Sequence, residues 1–424
     1  MIIIFGKGKV GNSLNRLLDK LNLKNILMDD KDWDDDLLSK SKKIICSPGI
    51  KKNHKLYLNY GDKVFSELNF LGDIIKKKGL ENKLEFIGIT GTNGKSTSVH
   101  IMYNLFKGIF KKLKINTKVH LSGNFGTPLS DTIYQILDDK KNKEHLIILE
   151  VSSFMLYKLN NFSFDYSILT NLGVDHLDWH TDIKEYFDSK FNLIRYTKKY
   201  ITTSNDVIEK YKQIIKKSDT KTFEHTRIEP YKNEFDLDKT KFLGEHNKGN
   251  WNAIYKVIWK YFDNKKIKRN EKVFWNVVGG IEPLEHRMKL VKTINGIKIY
   301  DDGICTSSQA LNAALSCFED KIILIAGGYD KGEEYVRISD ELQKKVEFMC
   351  LIGQTAKKFK KICKEKNIEY KIFDSLQNAV KYSINKAKEL KIKSILFSPG
   401  SASFDMFKNV YDRCDKFSKI IDNL

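Results

Sequence analysis

The chain has 424 residues, enough for two to four domains of ordinary size, each with its own core. No apolar run is long enough to span a bilayer, and Gly6 and Lys7 break the first apolar segment too early for a signal peptide, so we expect a cytoplasmic protein without membrane contact. The six cysteines form no C-x-x-C pair, which argues against a disulfide framework and against a zinc ribbon.

The formal net charge of +20, from 74 basic and 54 acidic residues, leaves two interpretations open. A chain this basic can bind nucleic acid or another polyanion. Most lysines, however, lie in mixed tracts with acids and asparagines and lack a regular pattern of aromatic neighbours, which is typical of a solvated surface. We therefore expect no nucleic-acid partner, although such a field would attract small anionic substrates.

The first block begins "MIIIFGKGKVGNSLNRLL", where Gly6, Gly8 and Gly11 form G-x-G-x-x-G between a predicted strand and a predicted helix. With Asp29 after "NILM", the spacing matches a dinucleotide fingerprint, and a nucleotide-binding variant or a plain tight turn are the alternatives. The runs "KKIICSPGI" and "KVFSELNFL" predict two more strands. Residues 1–84 are too few for a whole dehydrogenase and sufficient for a Rossmann-like module.

The middle block opens with "GITGTNGKST" between an apolar strand and a predicted helix, although Ile89 stands where the standard P-loop has glycine. Gly91 and Gly94 would let backbone N–H groups close on phosphate oxygens. Lys95 would then neutralise phosphate charge and Ser96 would face a Mg²⁺ ion. The alternative is a capped Gly/Asn turn before a helix.

The runs "LIILEVSSF" and "YSILTNLGVDHLDWH" predict two further strands. The first strand ends at Glu150, and the second ends shortly before His176. Because ligands bind at the carboxyl ends of strands in open α/β sheets, both residues are candidates for a metal site. Glu150 and Ser96 would hold a first Mg²⁺, with His176 near a second. A hydrogen-bonded loop histidine is the alternative.

"GEHNKGNWNAI" places Asn247 and Asn250 on one face at the start of a helix, where amides can pair with a purine edge or simply cap the helix. Arg287 in "LEHRMKL" offers a fork suited to phosphate or carboxylate, although lone surface arginines are common. A third block begins near Glu282, and its strands alternate with helical stretches, which predicts another parallel sheet.

Taken in order, "GTNGKST", "LEVSSF", "NLGVDHLDWH", "GEHNKGN", "EHR", "GGYDKG" and "SPGSASFDMFKN" resemble the Mur ligases, ATP-dependent amide-forming enzymes of peptidoglycan precursor synthesis. The resemblance runs from residue 1 to the end. It implies an α/β protein of three domains. These are a Rossmann-like domain for a UDP-linked substrate (1–84), a central P-loop-type mononucleotide-binding domain with a parallel sheet (85–283), and a Rossmann-like amino-acid-binding domain (284–424).

The closing motif is most similar to family members that add D-glutamate. The resemblance therefore implies a monomer that joins D-glutamate to UDP-N-acetylmuramoyl-L-alanine through an acyl phosphate, using ATP and two Mg²⁺ ions. The implied ATP-binding residues are Gly91, Thr92, Asn93, Gly94, Lys95, Ser96, Thr97, Asn247, Asn250, Arg287 and Asp302. The implied substrate-binding residues are Gly8, Lys9, Val10, Asp29, Asn124 and Ser152, with Thr306, Lys331 and Ser403 for the acceptor.

The implied catalytic residues are Lys95, Glu150, His176 and Lys190, and the implied metal ligands are Ser96, Glu150, His176 and Lys190. In this family, the lysine that matches Lys190 is carbamylated, whereas the residues alone predict a solvated helix lysine.

Two departures from the family pattern, Ile304 for a common lysine and Val410 for a frequent phenylalanine, fall near the expected acceptor pocket. A sister ligase for another amino acid, a folate polyglutamate enzyme and an ATP-regulated nucleic-acid-binding protein are the alternatives.

Overall fold

The computed structural model describes residues 1–215, 227–231 and 234–424. The chain forms two compact units, Met1–Asp236 with Lys248–Ile281, and Leu237–Asn247 with Glu282–Leu424. In the described residues, three sheets that are wholly or mainly parallel are flanked by helices, which confirms the predicted α/β class. The domain boundaries after residues 84 and 283 stay predictions. Within the ranges just given, no helix has the length and apolarity needed to cross a membrane.

The first sheet belongs to the N-terminal module and has the parallel order β2-β1-β3-β4. Its elements are β1 (Ile2–Phe5), α1 (Lys9–Lys20), β2 (Asn25–Met28), α2 (Asp35–Lys40), β3 (Lys43–Cys46), α3 (Lys55–Tyr60), β4 (Val64–Phe65) and α4 (Glu67–Lys77). The strand predicted for "KVFSELNFL" is wrong beyond Phe65. The Ser66 side chain accepts a hydrogen bond from the Asn69 amide and caps α4, whose apolar residues follow helical spacing.

The second sheet is central and fully parallel, in the order β10-β9-β8-β5-β7-β6. Its elements are β5 (Leu84–Thr90), α5 (Lys95–Leu113), β6 (Thr117–Gly123), α6 (Leu129–Asp138), β7 (Glu144–Glu150), α7 (Ser153–Leu156), β8 (Phe164–Leu169), α8 (Ile183–Arg195), β9 (Thr197–Thr203), α9 (Asn205–Ile215), β10 (Arg227–Pro230), α10 (Glu245–Asn264) and α11 (Glu271–Val278). The strands β5, β7 and β8 are buried along nearly their whole length, as expected when helices cover both faces.

One apolar core joins the N-terminal module to the central sheet. Ile4 and Leu14 of the module belong to the same buried cluster as Ile133 of α6 and Leu149 of β7. Full burial of each such side chain contributes about 1.5–3 kcal/mol, so this shared core holds the first two sheets in one unit.

The third sheet, in the second unit, has the order β11-β12-β16-β13-β14-β15 and is parallel except for the β11–β12 pair. Its elements are β11 (Lys289–Ile294), β12 (Ile297–Asp301), α12 (Ser308–Leu315), β13 (Ile322–Ala326), α13 (Ser339–Lys345), β14 (Val346–Ile352), α14 (Ala356–Lys366), β15 (Glu369–Phe373), α15 (Leu376–Glu389), β16 (Ser394–Phe397) and α16 (Val410–Asp422). The loops after β12, β13 and β16 therefore open at the same edge of this sheet.

Candidate active site

The predicted phosphate loop connects β5 to α5, as the glycine pattern indicates. Gly94 immediately precedes the helix with φ of 81°, a left-handed conformation that suits glycine. A Cβ atom at this position would lie 2.8 Å from Oδ1 of Asn250, so that amide packs directly against the loop. The positive end of the helix dipole at the start of α5 is a suitable place for an anion.

Two lysine side chains converge on one carbonyl of this loop. The Gly91 oxygen accepts hydrogen bonds from Nζ of Lys95 at 2.9 Å and from Nζ of Lys190 at 2.8 Å. Lys190 is only 1% exposed, which overturns the interpretation of a solvated helix lysine. Burial, and then the charge of Lys95, hold the pKa of Lys190 well below its usual range.

A buried carboxylate lies at the end of β7 in the same unit. Oε1 of Glu150 accepts a hydrogen bond from Nδ2 of Asn124 at 2.9 Å, whereas Oε2 is buried without a hydrogen-bond partner. Glu150 also acts electrostatically on Lys190. An oxygen in this state favours a cation nearby, so the donor chemistry fits Mg²⁺.

No cluster of three or more His, Cys, Asp or Glu residues able to hold a metal occurs in the part of the chain that the structure covers. Mg²⁺ is commonly bound by one or two carboxylates together with substrate phosphates and water. A Mg²⁺ site of this kind needs no cluster of three protein ligands, because substrate phosphates and water supply the others.

His176 lies in a turn of unusual conformation after β8. Its φ is 53°, and its carbonyl accepts hydrogen bonds from the amides of Trp179 at 3.1 Å and His180 at 3.0 Å. Burial lowers the pKa of its imidazole, and the charges of Lys95 and Lys190 act in the same direction against the opposing effect of Asp175. The lowered pKa favours the neutral ring, which is the form that can ligate a metal.

The segment that leads to His176 also supports the phosphate loop. Asn171 and Asn93 form a reciprocal pair, in which the Asn93 amide donates to Asn171 Oδ1 at 2.9 Å and Asn171 Nδ2 donates to the Asn93 carbonyl at 3.0 Å. The Thr92 hydroxyl contacts the Tyr186 hydroxyl of α8 at 3.1 Å and accepts from the Gly173 amide at 2.9 Å. These contacts join the phosphate loop to the strand end that precedes His176 and to the helix that carries Lys190.

The N-terminal glycine loop has the expected strand–turn–helix form. A Cβ atom at Gly11 would lie 1.9 Å from the Gly6 carbonyl oxygen, so the turn requires glycine there. Gly8 precedes α1, which includes Val10, and Nζ of Lys9 donates to the Gly126 carbonyl at 2.7 Å.

Two more of the predicted substrate residues cap helices. The Asp29 side chain accepts from the Lys31 amide and caps a short 3-10 helix after β2. Ser152 is buried and caps α7, directly after β7. Their roles toward substrate stay predictions.

In the second unit, Asn247 lies at the start of α10, Arg287 lies just before β11, and Asp302 follows β12. Asn247 lies in the first turn of α10, where its Nδ2 donates to the Leu243 carbonyl at 2.7 Å. The carboxylate of Asp302 follows β12 and accepts a hydrogen bond from the Ser398 hydroxyl at 2.7 Å. Burial raises the pKa of Asp302 to about 7, although Ser398 and the charge of Arg287 act in the opposite direction.

Thr306, Lys331 and Ser403 lie in the loops after β12, β13 and β16, at the same edge of the third sheet. Lys331 is exposed, whereas Ser403 is buried. One carboxylate oxygen of Glu333 accepts hydrogen bonds from the Ser308 amide at 2.9 Å and its hydroxyl at 2.7 Å. Glu333 thereby fastens the Lys331 loop to the helix start that follows Thr306.

Arg413 of α16 is a residue that the sequence analysis missed. Its side chain is fully buried, and its guanidinium donates to the carbonyls of Gly303, Cys305, Ser401 and Ala402. It therefore joins the loop after β12 to the loop after β16. A lone arginine four residues beyond a recognised motif gives no signal of this role in the sequence.

These features are typical of a nucleotide-binding α/β enzyme, with a glycine loop suited to phosphate and with a buried lysine and a buried carboxylate in the same unit. A family model described as "Mur ligase middle domain" matches residues 89–264, and one described as "Mur ligase, glutamate ligase domain" matches residues 286–399.

Relatives match over most of the chain. The UDP-N-acetylmuramoylalanine--D-glutamate ligase of Aquifex aeolicus is 30% identical over 99% of this chain and 98% of its own. The protein of the same name from Acetivibrio thermocellus is 31% identical over 80% of this chain and 74% of its own. The chain belongs to the Mur ligase family, and it is thus an ATP-dependent ligase of peptidoglycan synthesis.

The fold agrees with this membership. The crystal structure of MurF ligase from Thermotoga maritima in complex with ADP superimposes with a TM-score of 0.57 at 15% identity, over 100% of this chain and 95% of that protein. At this identity, the likeness concerns the fold alone.

Proposed function

We propose that this chain is a cytoplasmic, monomeric ligase that joins D-glutamate to UDP-N-acetylmuramoyl-L-alanine while ATP is converted to ADP and phosphate. The observation that carries the proposal is the convergence of Lys95 and Lys190 on the Gly91 carbonyl in a chain with a buried, half-satisfied Glu150. The names of the two bacterial relatives support the choice of substrates.

The first chemical step activates a carboxylate, which is a poor electrophile. One oxygen of the substrate's terminal alanine carboxylate attacks the γ-phosphorus of ATP, and the bond to the bridging oxygen of ADP breaks. The products are an acyl phosphate and ADP. The amides at the start of α5 and Nζ of Lys95 would hold the phosphate oxygens and stabilise the charge that moves to ADP.

Ser96, Glu150, His176 and a modified Lys190 are the residues that would hold two Mg²⁺ ions. Such ions orient the phosphates and neutralise charge during phosphoryl transfer. Carbamylation of Lys190 forms a bond from neutral Nζ to the carbon of CO₂ and releases one proton. The lowered pKa of Lys190 favours this reaction, because only the unprotonated amine is nucleophilic. The anionic carbamate would add the oxygen ligand that an ammonium group cannot provide.

The second step forms the amide. The amine of D-glutamate attacks the acyl carbon, loses a proton, and the tetrahedral intermediate expels phosphate. Lys331, Thr306 and Ser403 would bind the two acceptor carboxylates. Gly8, Lys9, Val10, Asp29, Asn124 and Ser152 would bind the UDP-linked substrate, and Asn247, Asn250, Arg287 and Asp302 would bind ATP.

A different acceptor is the second candidate. Ile304 cannot donate a hydrogen bond from its side chain, and Val410 begins α16 directly after the capping residue Asn409. Both residues differ in type from those of the family pattern. The identity of the acceptor amino acid is therefore the part of the proposal that these differences affect most.

The test is phosphate release with UDP-N-acetylmuramoyl-L-alanine, ATP and Mg²⁺ against a panel of D-glutamate, L-glutamate, L-lysine, L-alanine and diaminopimelate. We expect release with D-glutamate alone. Release with another amino acid would move the protein to a sister activity. Absence of release with every acceptor, together with tight and salt-sensitive RNA binding, would favour the nucleic-acid alternative.

A further inference from the structure

A short segment of the N-terminal module, residues 47–52, begins beside the glycine loop. It leaves β3 at the carboxyl end of the first sheet, where the Ser47 hydroxyl donates to the Gly6 carbonyl at 3.2 Å. The Ile50 amide donates back to the Ser47 carbonyl at 3.1 Å, so the segment is a hydrogen-bonded turn. Its first residue thus contacts the loop predicted to meet the UDP-linked substrate.

The other end of the 47–52 segment contacts the central part of the same unit. Nε1 of Trp179 donates to the Ile50 carbonyl at 3.0 Å, and Nζ of Lys52 donates to Oε1 of Glu185 at 2.5 Å. Trp179 is 7% exposed, and the side chains of Lys52 and Glu185 are only 20% and 23% exposed. The neighbouring pair between Lys51 and Asp178 is 53% and 66% exposed and contributes little.

The first of these contacts acts on the turn that carries His176. A left-handed conformation is unfavourable for a non-glycine residue such as His176 and persists only where its surroundings hold it. Trp179 supplies two such restraints, since its amide donates to the His176 carbonyl and its indole donates to Ile50. His180 adds a third through Nε2, which lies 2.9 Å from the Ser153 hydroxyl.

The second contact acts on α8, the helix that carries Lys190. Glu185 lies in the first turn of this helix, and its Oε2 accepts a hydrogen bond from the Thr181 amide at 3.0 Å. Lys52 therefore fixes the beginning of α8, while Lys190 donates to the Gly91 carbonyl from the same helix. One segment of the N-terminal module thus braces the positions of both His176 and Lys190.

We propose that the 47–52 segment couples occupancy of the N-terminal glycine loop to nucleotide binding at the phosphate loop, with Trp179 and Lys52 as positioning residues for His176 and Lys190. This inference rests on the proposed function, which supplies the two ligands. Binding of the UDP-linked substrate restrains the end of the segment at Ser47. The segment then holds the His176 turn and α8 in the arrangement that binds Mg²⁺ and nucleotide. Coupling of this kind is reciprocal.

The experiment measures the affinity of the full chain for Mg²⁺ with a non-hydrolysable ATP analogue by calorimetry, without and with saturating UDP-N-acetylmuramoyl-L-alanine. For the wild type we expect the second affinity to be about 5- to 150-fold tighter, the usual range of coupling between two sites. Trp179→Phe keeps the ring and removes the indole donor, and Lys52→Met keeps the stem and removes the charge. In both variants the ratio should fall below about twofold.

Lys51→Met is the matched control, because it removes a charge from the same segment at an exposed ion pair, and its ratio should equal that of the wild type. A merely structural role would weaken each ligand alone or lower the melting temperature and leave the ratio intact, which would overturn the inference. A wild-type ratio of one would overturn it as well. Phosphate release by the wild type is measured separately with the panel of amino acids. An active enzyme whose affinity ratio is one would refute only this inference. A protein that binds neither ligand would refute both this inference and the proposed function.

Discussion

Replacement of Arg413 should destabilise the loops after β12 and β16 of the second unit. The loss of stability should exceed that caused by a surface substitution on the same helix. In Arg413→Met, the guanidinium no longer donates to the carbonyls of Gly303, Cys305 and Ser401. The Ala402 carbonyl keeps a hydrogen bond from the Tyr329 amide, so three buried acceptors lose the partner that Arg413 supplies.

A buried acceptor without a partner costs about 1–3 kcal/mol. We use the lower end of this range, because the substitution also removes a buried charge. Burial of that charge is unfavourable, as the lowered pKa of Arg413 indicates. Three acceptors then give a loss of about 3 kcal/mol in the free energy of unfolding, or roughly 6–12 °C in melting temperature for a unit of this size.

Scanning calorimetry of the full chain measures this change. Lys416→Met is the matched control, because it removes a partly exposed ion pair with Asp412 on the same helix and a cation–π contact with Phe407 and breaks no buried hydrogen bond, so it should change stability by less than about 1 kcal/mol. Because Arg413 joins the loops that carry Thr306 and Ser403, we also expect a higher KM for the acceptor with an unchanged KM for ATP. If Arg413→Met melted within about 2 °C of the Lys416 variant, the reasoning would be refuted.

Four further outcomes are expected. Lys95→Ala should lower kcat by at least about 100-fold with the fold intact, whereas Lys107→Ala on the outer part of α5 should not, as phosphate release will show. Lys190→Ala should be similarly slow and partly rescued by small carboxylates such as acetate; full activity without rescue would dismiss the carbamate. Lys331→Ala should raise the KM for D-glutamate by about 10- to 150-fold and leave that for ATP within a few-fold, and the reverse pattern would assign Lys331 to the nucleotide. In CO₂-depleted buffer, Lys190→Met should be more stable to urea than the wild type at pH 7. The pKa of this lysine is lowered on folding, so wild-type stability rises with pH up to the ordinary value of 10.5, and the difference should shrink there.

The strand–loop–helix form of the predicted phosphate loop could be predicted from the sequence because its determinants are local. Glycines at 91 and 94, a preceding apolar strand and a following helix all lie within one short stretch, and local pattern decides that geometry. The "KVFSELNFL" run shows the limit of such patterns. Its apolar residues fit a strand as well as a helix, and in the structure a helix capped by Ser66 follows the two residues of β4.

The burial of Lys190 and Arg413 could not be predicted in this way. The Nζ atom of Lys190 meets a carbonyl 99 residues earlier in the chain, and the guanidinium of Arg413 meets one 110 residues earlier. Helical periodicity places both residues on helices but does not say which polar group each one finds. Only the resemblance to a known family singled out Lys190 before the structure did, and Arg413 had no such help.

Lys95 and Lys190 donate to the same carbonyl, that of Gly91, so the charge of one lysine affects the protonation of the other. Two ammonium groups that donate to one oxygen repel each other, and this repulsion, added to burial, keeps Lys190 unprotonated more often than an ordinary lysine. An unprotonated amine is the species that CO₂ modifies, and the carbamate proposed for Lys190 would place a negative charge beside Lys95 where a positive one stood. Attraction would then replace the repulsion, and the same change would create the proposed anionic ligand in the unit that holds Glu150. On this proposal, the phosphate loop itself, through Gly91 and Lys95, sets the conditions under which the metal-binding group can form.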